Sequence, residues 1–361
     1  MFRTSAAATA SATSHSPLLP WGVAALVCFV AGGAHAAAAV SGLEVRLSVA
    51  QPVLKGDVDV HVSVSITNTS RQPRQILRSQ LPGSAPMAAL FRISRDGQLV
   101  DYTGPLVKRG PLTEADYLSL APGETQTFEA ELTGTYDLSQ NGRYAIEYIG
   151  LAKQAEAASA ISELAPTYIW LEGRSPQPVS ARPEPSPSLA GSVSYTGNCT
   201  ASQKTTLASA FSAASNYAQA AQTYLNGTGS GTQRYKTWFG AYTSARWNTA
   251  KAHFVATNDA FKNKAVTLDC SCKQSYYAYV YPTQPYKIYL CNAFWSAPMT
   301  GTDSKAGTLI HEMTHFNVVA GTDDWAYGQS AAKSLALSNP TKALDNADSH
   351  EYFVENTPPL P

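Results

Sequence analysis

Five consecutive residues, His311-Glu312-Met313-Thr314-His315, have the types and spacing to hold a metal ion and move a proton. On a helix His311 and His315 are i and i+4, so they share one face about one turn apart. Two imidazoles so placed can reach one Zn²⁺. Glu312 points to the adjoining side, where its carboxylate can accept a proton from water. A chance match in a chain of this size is on the order of one in a hundred or rarer. The pattern needs a helix, and Thr302 or Asp303 could cap one running from about 304 to 319.

A catalytic zinc usually keeps three protein ligands and one open position. In the metzincin pattern a glycine stands three residues past the second histidine and another histidine three further on. Val318 and Gly321 occupy those places, which excludes that pattern. A thermolysin-like site would take a glutamate from a later helix, Glu351 or Glu355. A nearer candidate lies in Gly321-Thr322-Asp323-Asp324-Trp325-Ala326-Tyr327-Gly328, where glycine allows a sharp turn and Asp324 can return to the metal.

The elements that must position these residues belong to the second of two differently patterned halves. From 193 onward the chain reads as mainly helical. Residues 202 to 225 are Ala-rich, with Leu207, Phe211, Tyr217 and Tyr224 as anchors, and 234 to 256 carry Trp238, Phe239, Tyr242 and Trp247. A hairpin interrupts them: Tyr277–Tyr281 and Tyr286–Leu290 flank Pro282-Thr283-Gln284-Pro285. Its prolines favour a short, exposed strand pair, and an exposed strand beside a site can hold an extended peptide by main-chain bonds.

From about 40 to 172 the period is two. Leu43, Val45, Leu47 and Val49 alternate with polar residues, as do Val58, Val60, Val62, Val64 and Ile66. Turn signals at Gly56, Gly97, Gly123 and Gly142 separate the strands, which suggests an immunoglobulin-like β-sandwich over 37–172. This half holds no cysteine and no cluster of catalytic residue types, so it reads as a support, binding or pro-segment module. Residues 173–192 are rich in Pro and Ser, an extended and protease-accessible linker with the expected maturation site.

The chain of 361 residues has length for two domains plus processing segments. Hydrophobic residues at 44% against 14% charged place it among globular proteins. With 26 basic and 26 acidic residues, no basic field draws it to nucleic acid or an anionic membrane. The run Leu18–Ala31 is short for a membrane span, is broken by Pro20 and Gly32-Gly33, and ends at the small-x-small pattern Ala34-His35-Ala36. Residues 1–36 therefore read as a secretory leader, and the product as secreted. Cys28 would leave with it. Four cysteines remain, an even number in an exported chain, which suggests two disulfides. Cys270 and Cys272, one residue apart, are poorly placed to bond each other. The expected pairs are Cys199 with Cys270 and Cys272 with Cys291; a metal site at Cys-Ser-Cys lacks a second pair at zinc spacing.

His-Glu-x-x-His followed by Gly-Thr-x-Asp-x-x-Tyr-Gly resembles the aspzincin metalloendopeptidases, the deuterolysin family. The resemblance implies Zn²⁺ as cofactor, Asp324 rather than Asp323 as third ligand, and Tyr327 as donor to the oxyanion of the tetrahedral intermediate. Asp323 is then a solvated turn residue. Residues 346–356, Asn-Ala-Asp-Ser-His-Glu-Tyr-Phe-Val-Glu-Asn, resemble the peptidyl-Lys branch. Asp348 and Glu351 are i and i+3 on a predicted helix, and the resemblance puts them in the S1′ pocket, facing the ammonium of a P1′ lysine. The cysteine spacing also resembles that branch. The match covers roughly 195 to 356; the N-terminal half resembles the pro-regions of bacterial members more loosely.

The expectation is therefore a zincin-type, mainly α peptidase domain over 193–361 behind a β-sandwich pro-domain. It is a monomer made as an inactive precursor and acting on proteins or peptides. Lys108, in an exposed turn-like basic segment with Arg109, is a candidate to occupy the S1′ pocket before maturation. His350 reads as a helix-surface residue. Two alternatives stand beside this reading: a broader, deuterolysin-like specificity, and a secreted binding or adhesion protein with a structural or degenerate metal site.

Overall fold

The alternating apolar residues of the first half form two sheets. A computed structural model of the chain describes residues 35–40, 42–83, 87–110, 112–153, 165–175, 191–227 and 229–361. One sheet has the order β1 (His35–Val40), β2 (Leu43–Ser48), β4 (His61–Asn68) and β10 (Thr125–Glu131), all antiparallel. The other runs β3 (Val53–Lys55), β12 (Thr167–Glu172), β11 (Gly142–Tyr148), β6 (Phe91–Arg95) and β7 (Gln98–Leu99). A small pair, β5 (Arg74–Leu77) with β9 (Tyr117–Leu120), completes this region. Val45, Leu47, Val62, Val64 and Ile66 share one core with Ile93, Tyr144, Ile146 and Leu171 of the second sheet. Burying each such aliphatic side chain is worth about 1.5–3 kcal/mol.

The expected leader lies outside the described residues up to its last two, and so does 176–190 of the linker. The linker's first residues are pinned rather than loose. Arg174 N–H donates to Asn141 Oδ1 at 2.8 Å, its guanidinium donates to Val58 O at 2.6 Å, and Ser175 N–H donates to Asp57 Oδ1 at 2.8 Å. Among the described residues no helix is long and apolar enough to cross a membrane.

The second half packs helices on a third sheet of order β13 (Val193–Thr196), β14 (Val266–Asp269), β16 (Lys287–Leu290), β15 (Ala278–Val280) and β8 (Leu106–Lys108). Helix α1 (Ala201–Gly227) buries Leu207, Ala210, Phe211, Ala214, Ala218, Ala221 and Leu225, spaced by three and four along one face. The segment 234–256, in the part expected as mainly helical, is two helices, α2 (Gln233–Phe239) and α3 (Ser244–Asn263). Gly240 divides them at φ +79°, where a Cβ would lie 2.1 Å from Ala336 O; Thr243 caps α3. Then follow α4 (Asn292–Ser296), α5 (Lys305–His315), α6 (Gln329–Ser338), α7 (Pro340–Leu344) and α8 (Ala347–Glu355). Leu309, Ile310 and Met313 of α5 meet Tyr352, Phe353 and Val354 of α8 and the sheet residues Leu268, Ile288 and Leu290 in one core.

Both expected disulfides are present, Cys199–Cys270 and Cys272–Cys291, with Cα atoms 5.2 and 4.7 Å apart. The expected hairpin is β15 with β16, but its edge is not exposed. Strand β8 from the N-terminal region pairs antiparallel with β15, Lys108 opposite Ala278, Val107 opposite Tyr279 and Leu106 opposite Val280. The exposed turn expected around Lys108 is thus a buried strand, with Lys108 only 1% accessible.

Candidate active site

Helix α5 carries the two histidines, and its limits differ from expectation. Ser304, not Thr302 or Asp303, is the cap: its hydroxyl accepts the Gly307 N–H at 2.9 Å. Asp303 instead sits in the left-handed region at φ +52°. The helix stops at His315, four residues early, because Phe316 turns extended and Asn317 N–H donates to Pro282 O at 3.1 Å.

Every residue of α5 is buried, yet His311 and His315 converge: their Nε2 atoms are 3.1 Å apart. Asp324 Oδ1 lies 3.2 Å from His311 Nε2 and 3.5 Å from His315 Nε2. The other ring nitrogens face partners that orient the rings. His315 Nδ1 is 2.7 Å from Thr322 O, and His311 Nδ1 is 2.8 Å from Asp348 Oδ1 and 3.4 Å from Glu351 Oε2.

A short loop brings Asp324 back. Gly321 turns at φ +61°, and Thr322 is tied to Thr314 by N–H to carbonyl at 3.1 Å and hydroxyl to hydroxyl at 2.9 Å. Asn346, at the head of α8, accepts both the Trp325 and Ala326 N–H groups at 2.9 Å through Oδ1. Asp323 pairs through its backbone with residues 345 and 347 and accepts the Asp324 N–H at 2.7 Å; it is half-buried rather than a free turn residue.

Two nitrogens and a carboxylate oxygen within 4.8 Å of one another match the donor set of zinc. The oxygens of Asp324 and Glu312 are buried without a hydrogen-bond partner, a state that a cation relieves. Burial pushes Asp324 up, but the facing His315 and His311 outweigh it and hold the carboxyl well below its ordinary range. Burial carries Glu312 up to about 7, against the pull of His311 and His315. The glutamates considered as ligands lie elsewhere: Glu351 faces His311 Nδ1, and Glu355 accepts the Ser304 N–H and hydroxyl at the start of α5.

Beyond His311 lies an acidic pocket, and Lys108 fills it. Its Nζ is 2.5 Å from Glu351 Oε2, 3.5 Å from Asp348 Oδ1 and 3.7 Å from Asp303 Oδ1. Burial favours the neutral amine, but Asp348, Glu351 and Asp303 outweigh it and hold Lys108 well above its ordinary range, charged. The Tyr327 phenol donates to Val107 O at 3.2 Å. Asp348 is shared between the two sites: Oδ1 faces His311 and Lys108, while Oδ2 accepts the Gly328 N–H at 2.6 Å.

His350 departs from expectation. It is fully buried, with Nε2 2.9 Å from His253 Nδ1 and Nδ1 2.9 Å from Asn346 O. Sequence reasoning gave no role to Thr322 or Asn346, and took Asp303 only as a possible helix cap. Asn346 carried a faint signal, an Asn immediately before a predicted helix; its side chain serves the Asp324 loop instead of capping α8.

A helix-borne histidine pair completed by an aspartate, with an unpartnered glutamate beside it, defines a metal-dependent peptidase. The chain belongs to the aspzincin family of zinc metalloendopeptidases; the family model described as lysine-specific metallo-endopeptidase matches residues 224–355. It is 48% identical to an extracellular protease of Aeromonas hydrophila over 88% of this chain and 93% of that one. It is 41% identical to a peptidyl-Lys metalloendopeptidase of Armillaria mellea over 90% and 95%. A solved zinc peptidase from Grifola frondosa is 48% identical, covering 45% of this chain and all of that one, with a TM-score of 0.43.

Proposed function

We propose that the chain is the precursor of a secreted zinc endopeptidase that cuts proteins on the amino side of lysine. The observation that carries this reading is the seat of Lys108: a buried ammonium among Asp348, Glu351 and Asp303, on the residue that follows the carbonyl held by Tyr327. The names of the Armillaria and Aeromonas relatives support the lysine preference and the export. In this reading 1–36 is the leader, 37–172 an immunoglobulin-like pro-domain, 173–192 the linker cut on maturation, and 193–361 the enzyme, a monomer.

His311, His315 and Asp324 would hold the zinc. When bound, it supplies a Lewis acid that polarises a carbonyl and acidifies water. Glu312 takes the proton of the attacking water and returns it to the leaving amine, a role suited to a carboxyl raised to about 7. Tyr327 donates its hydroxyl to the oxygen on which charge develops. Asp348 and Glu351 neutralise the substrate ammonium, and Asp348 also holds the His311 ring in place. Before maturation the pro-domain lays β8 along the β15 edge that a substrate would use, and Lys108 fills the pocket.

Peptides released from a denatured protein mixture by the matured chain, with and without a zinc chelator, test this. Chelator-sensitive cuts before lysine are expected. Chelator-sensitive cuts elsewhere would discard the pocket and favour the broader specificity. No cuts from zinc-loaded mature protein would leave a binding protein with a degenerate site.

A further inference from the structure

Strand β8 does more than cover the site: it lies as a substrate lies. It runs antiparallel to β15, and its register is fixed by the pairs Leu106–Val280, Val107–Tyr279 and Lys108–Ala278, with Tyr277 N–H donating to Lys108 O at 3.0 Å. The Val107 carbonyl is the one that receives the Tyr327 phenol, and the very next side chain fills the acidic pocket. Both Glu312 oxygens are buried and unpartnered. A cavity of about 360 Å³ lined by Leu106, Tyr102, Tyr136, His315 and Thr322 adjoins the His315 side of the site. It has room for the water that hydrolysis consumes, at roughly 30 Å³ per molecule.

We infer that the precursor is its own first substrate and hydrolyses the Val107–Lys108 bond within the same molecule. The inference rests on the lysine-directed reading above. The bond that breaks is the amide C–N between Val107 and Lys108. Water's hydroxyl joins the Val107 carbonyl carbon, Glu312 carries the remaining proton, and the Lys108 amine leaves protonated. The cut divides β8, so that its two halves no longer hold each other on β15. The lysine content directs self-processing to this strand. Before Val193 the lysines are Lys55, Lys108 and Lys153, and none lies in the 173–192 linker, so linker cleavage needs a protease of another preference. Lys55 is exposed and paired with Glu172 at 2.7 Å.

The test follows fragment masses and new N-termini of the full chain, loaded with zinc, over about a hundredfold dilution. Fragments ending at Val107 and beginning at Lys108 are expected, formed at a rate independent of dilution. They should be absent with a chelator, in Glu312→Gln and in Lys108→Ala. A rate proportional to concentration overturns the inference, because the cut is then made between molecules. An intact Val107–Lys108 bond also overturns it if the same preparation cuts a lysine peptide once an arginine-specific protease that accepts proline after the cut has opened the linker at Arg182-Pro183; the proposed function then survives. If the opened preparation does not cut before lysine, both fall. A readout independent of turnover is amine labelling of the full-length Glu312→Gln chain. Lys108 should label at least about a hundredfold more slowly than Lys55, and equal labelling would show that the strand is not seated.

Discussion

Two pairs of imidazoles meet at nearly the same distance in this chain. His311 and His315 approach to 3.1 Å between ring nitrogens, and His253 and His350 to 2.9 Å. The first pair faces Asp324, with Asp348 and Glu351 behind it. The second packs against the rings of Phe239 and Phe254, 5.0 and 5.4 Å from His350, and its other polar contact among the described residues is Asn346 O. Burial pulls His253 down to about 4 and His350 to about 3, so both stay neutral at ordinary pH. Proximity of two imidazoles therefore does not make a metal site. Converging carboxylates do, by fixing ring orientation and supplying the charge that a dication needs.

The sharpest way to break this contrast is to exchange the consequences of losing a member from each pair. Asp324→Ala should lower zinc content well below one per chain and abolish turnover, whereas His350→Ala should keep one zinc and instead lose about 2–4 kcal/mol of stability by leaving a cavity. Metal analysis beside denaturant unfolding reads both. Glu312→Ala should retain zinc and lose about 10²–10⁴ in kcat, the range for a proton-transferring group; normal turnover would remove Glu312 from the mechanism.

The carboxylates behind His311 sharpen it further. Glu351→Gln leaves the ammonium of a bound lysine short of its nearest counter-charge, and breaking such a buried pair costs about 3–5 kcal/mol. That predicts a loss of about 10²–10⁴ in kcat/KM on lysine peptides, with little change in zinc affinity, because Glu351 is 3.4 Å from His311. Asp348→Asn should lower both, zinc affinity by about 10–100-fold, because Asp348 is 2.8 Å from the ring. Equal zinc affinity in the two variants, by competition with a chelator, would show that Asp348 does not orient His311.

How much of this could be read from the sequence follows from how local each feature is. His311, Glu312 and His315 lie within one and a half turns of helix, so spacing alone brought them forward; Asp324 is a short loop away, and its preference over Asp323 and the role of Tyr327 came from the resemblance. The alternation of β2 and β4 is equally local. The break at Gly240 was signalled only by that glycine and by Thr243, the cap of α3; the close approach to Ala336, 96 residues on, was not legible. The seat of Lys108 beside Asp348 and Glu351 was expected, but the segment reads as a turn, so its pairing as a strand with β15 and its contact with Asp303 were illegible. His350 misled because α8 reads as polar; Asp348, His350, Glu351 and Glu355 are all buried, each facing a partner from a distant segment. Polar residues that serve a site from inside hide the face on which their helix packs.

The smallest effect expected from the comparison is also the one that tests the second pair directly. A histidine neutral in the folded chain and protonatable at about 6.5 once unfolded means that the unfolded state binds more protons below that pH. Stability is then fully present above about pH 6.5 and is lost as pH falls toward 4. At pH 5 the loss is roughly 2 kcal/mol for each histidine. Metal binding is itself pH-dependent, so the effect is read as a difference between chains. Urea unfolding of the wild type and His253→Gln at pH 7 and pH 5 should show a fall in stability that is roughly 2 kcal/mol smaller in the variant. Gln can still bond the His350 ring while removing one titrating group. An identical fall in both chains would mean that His253 is not held neutral by burial. The contrast with His311 and His315 would then lie in their carboxylates alone and not in the apolar surroundings of the second pair.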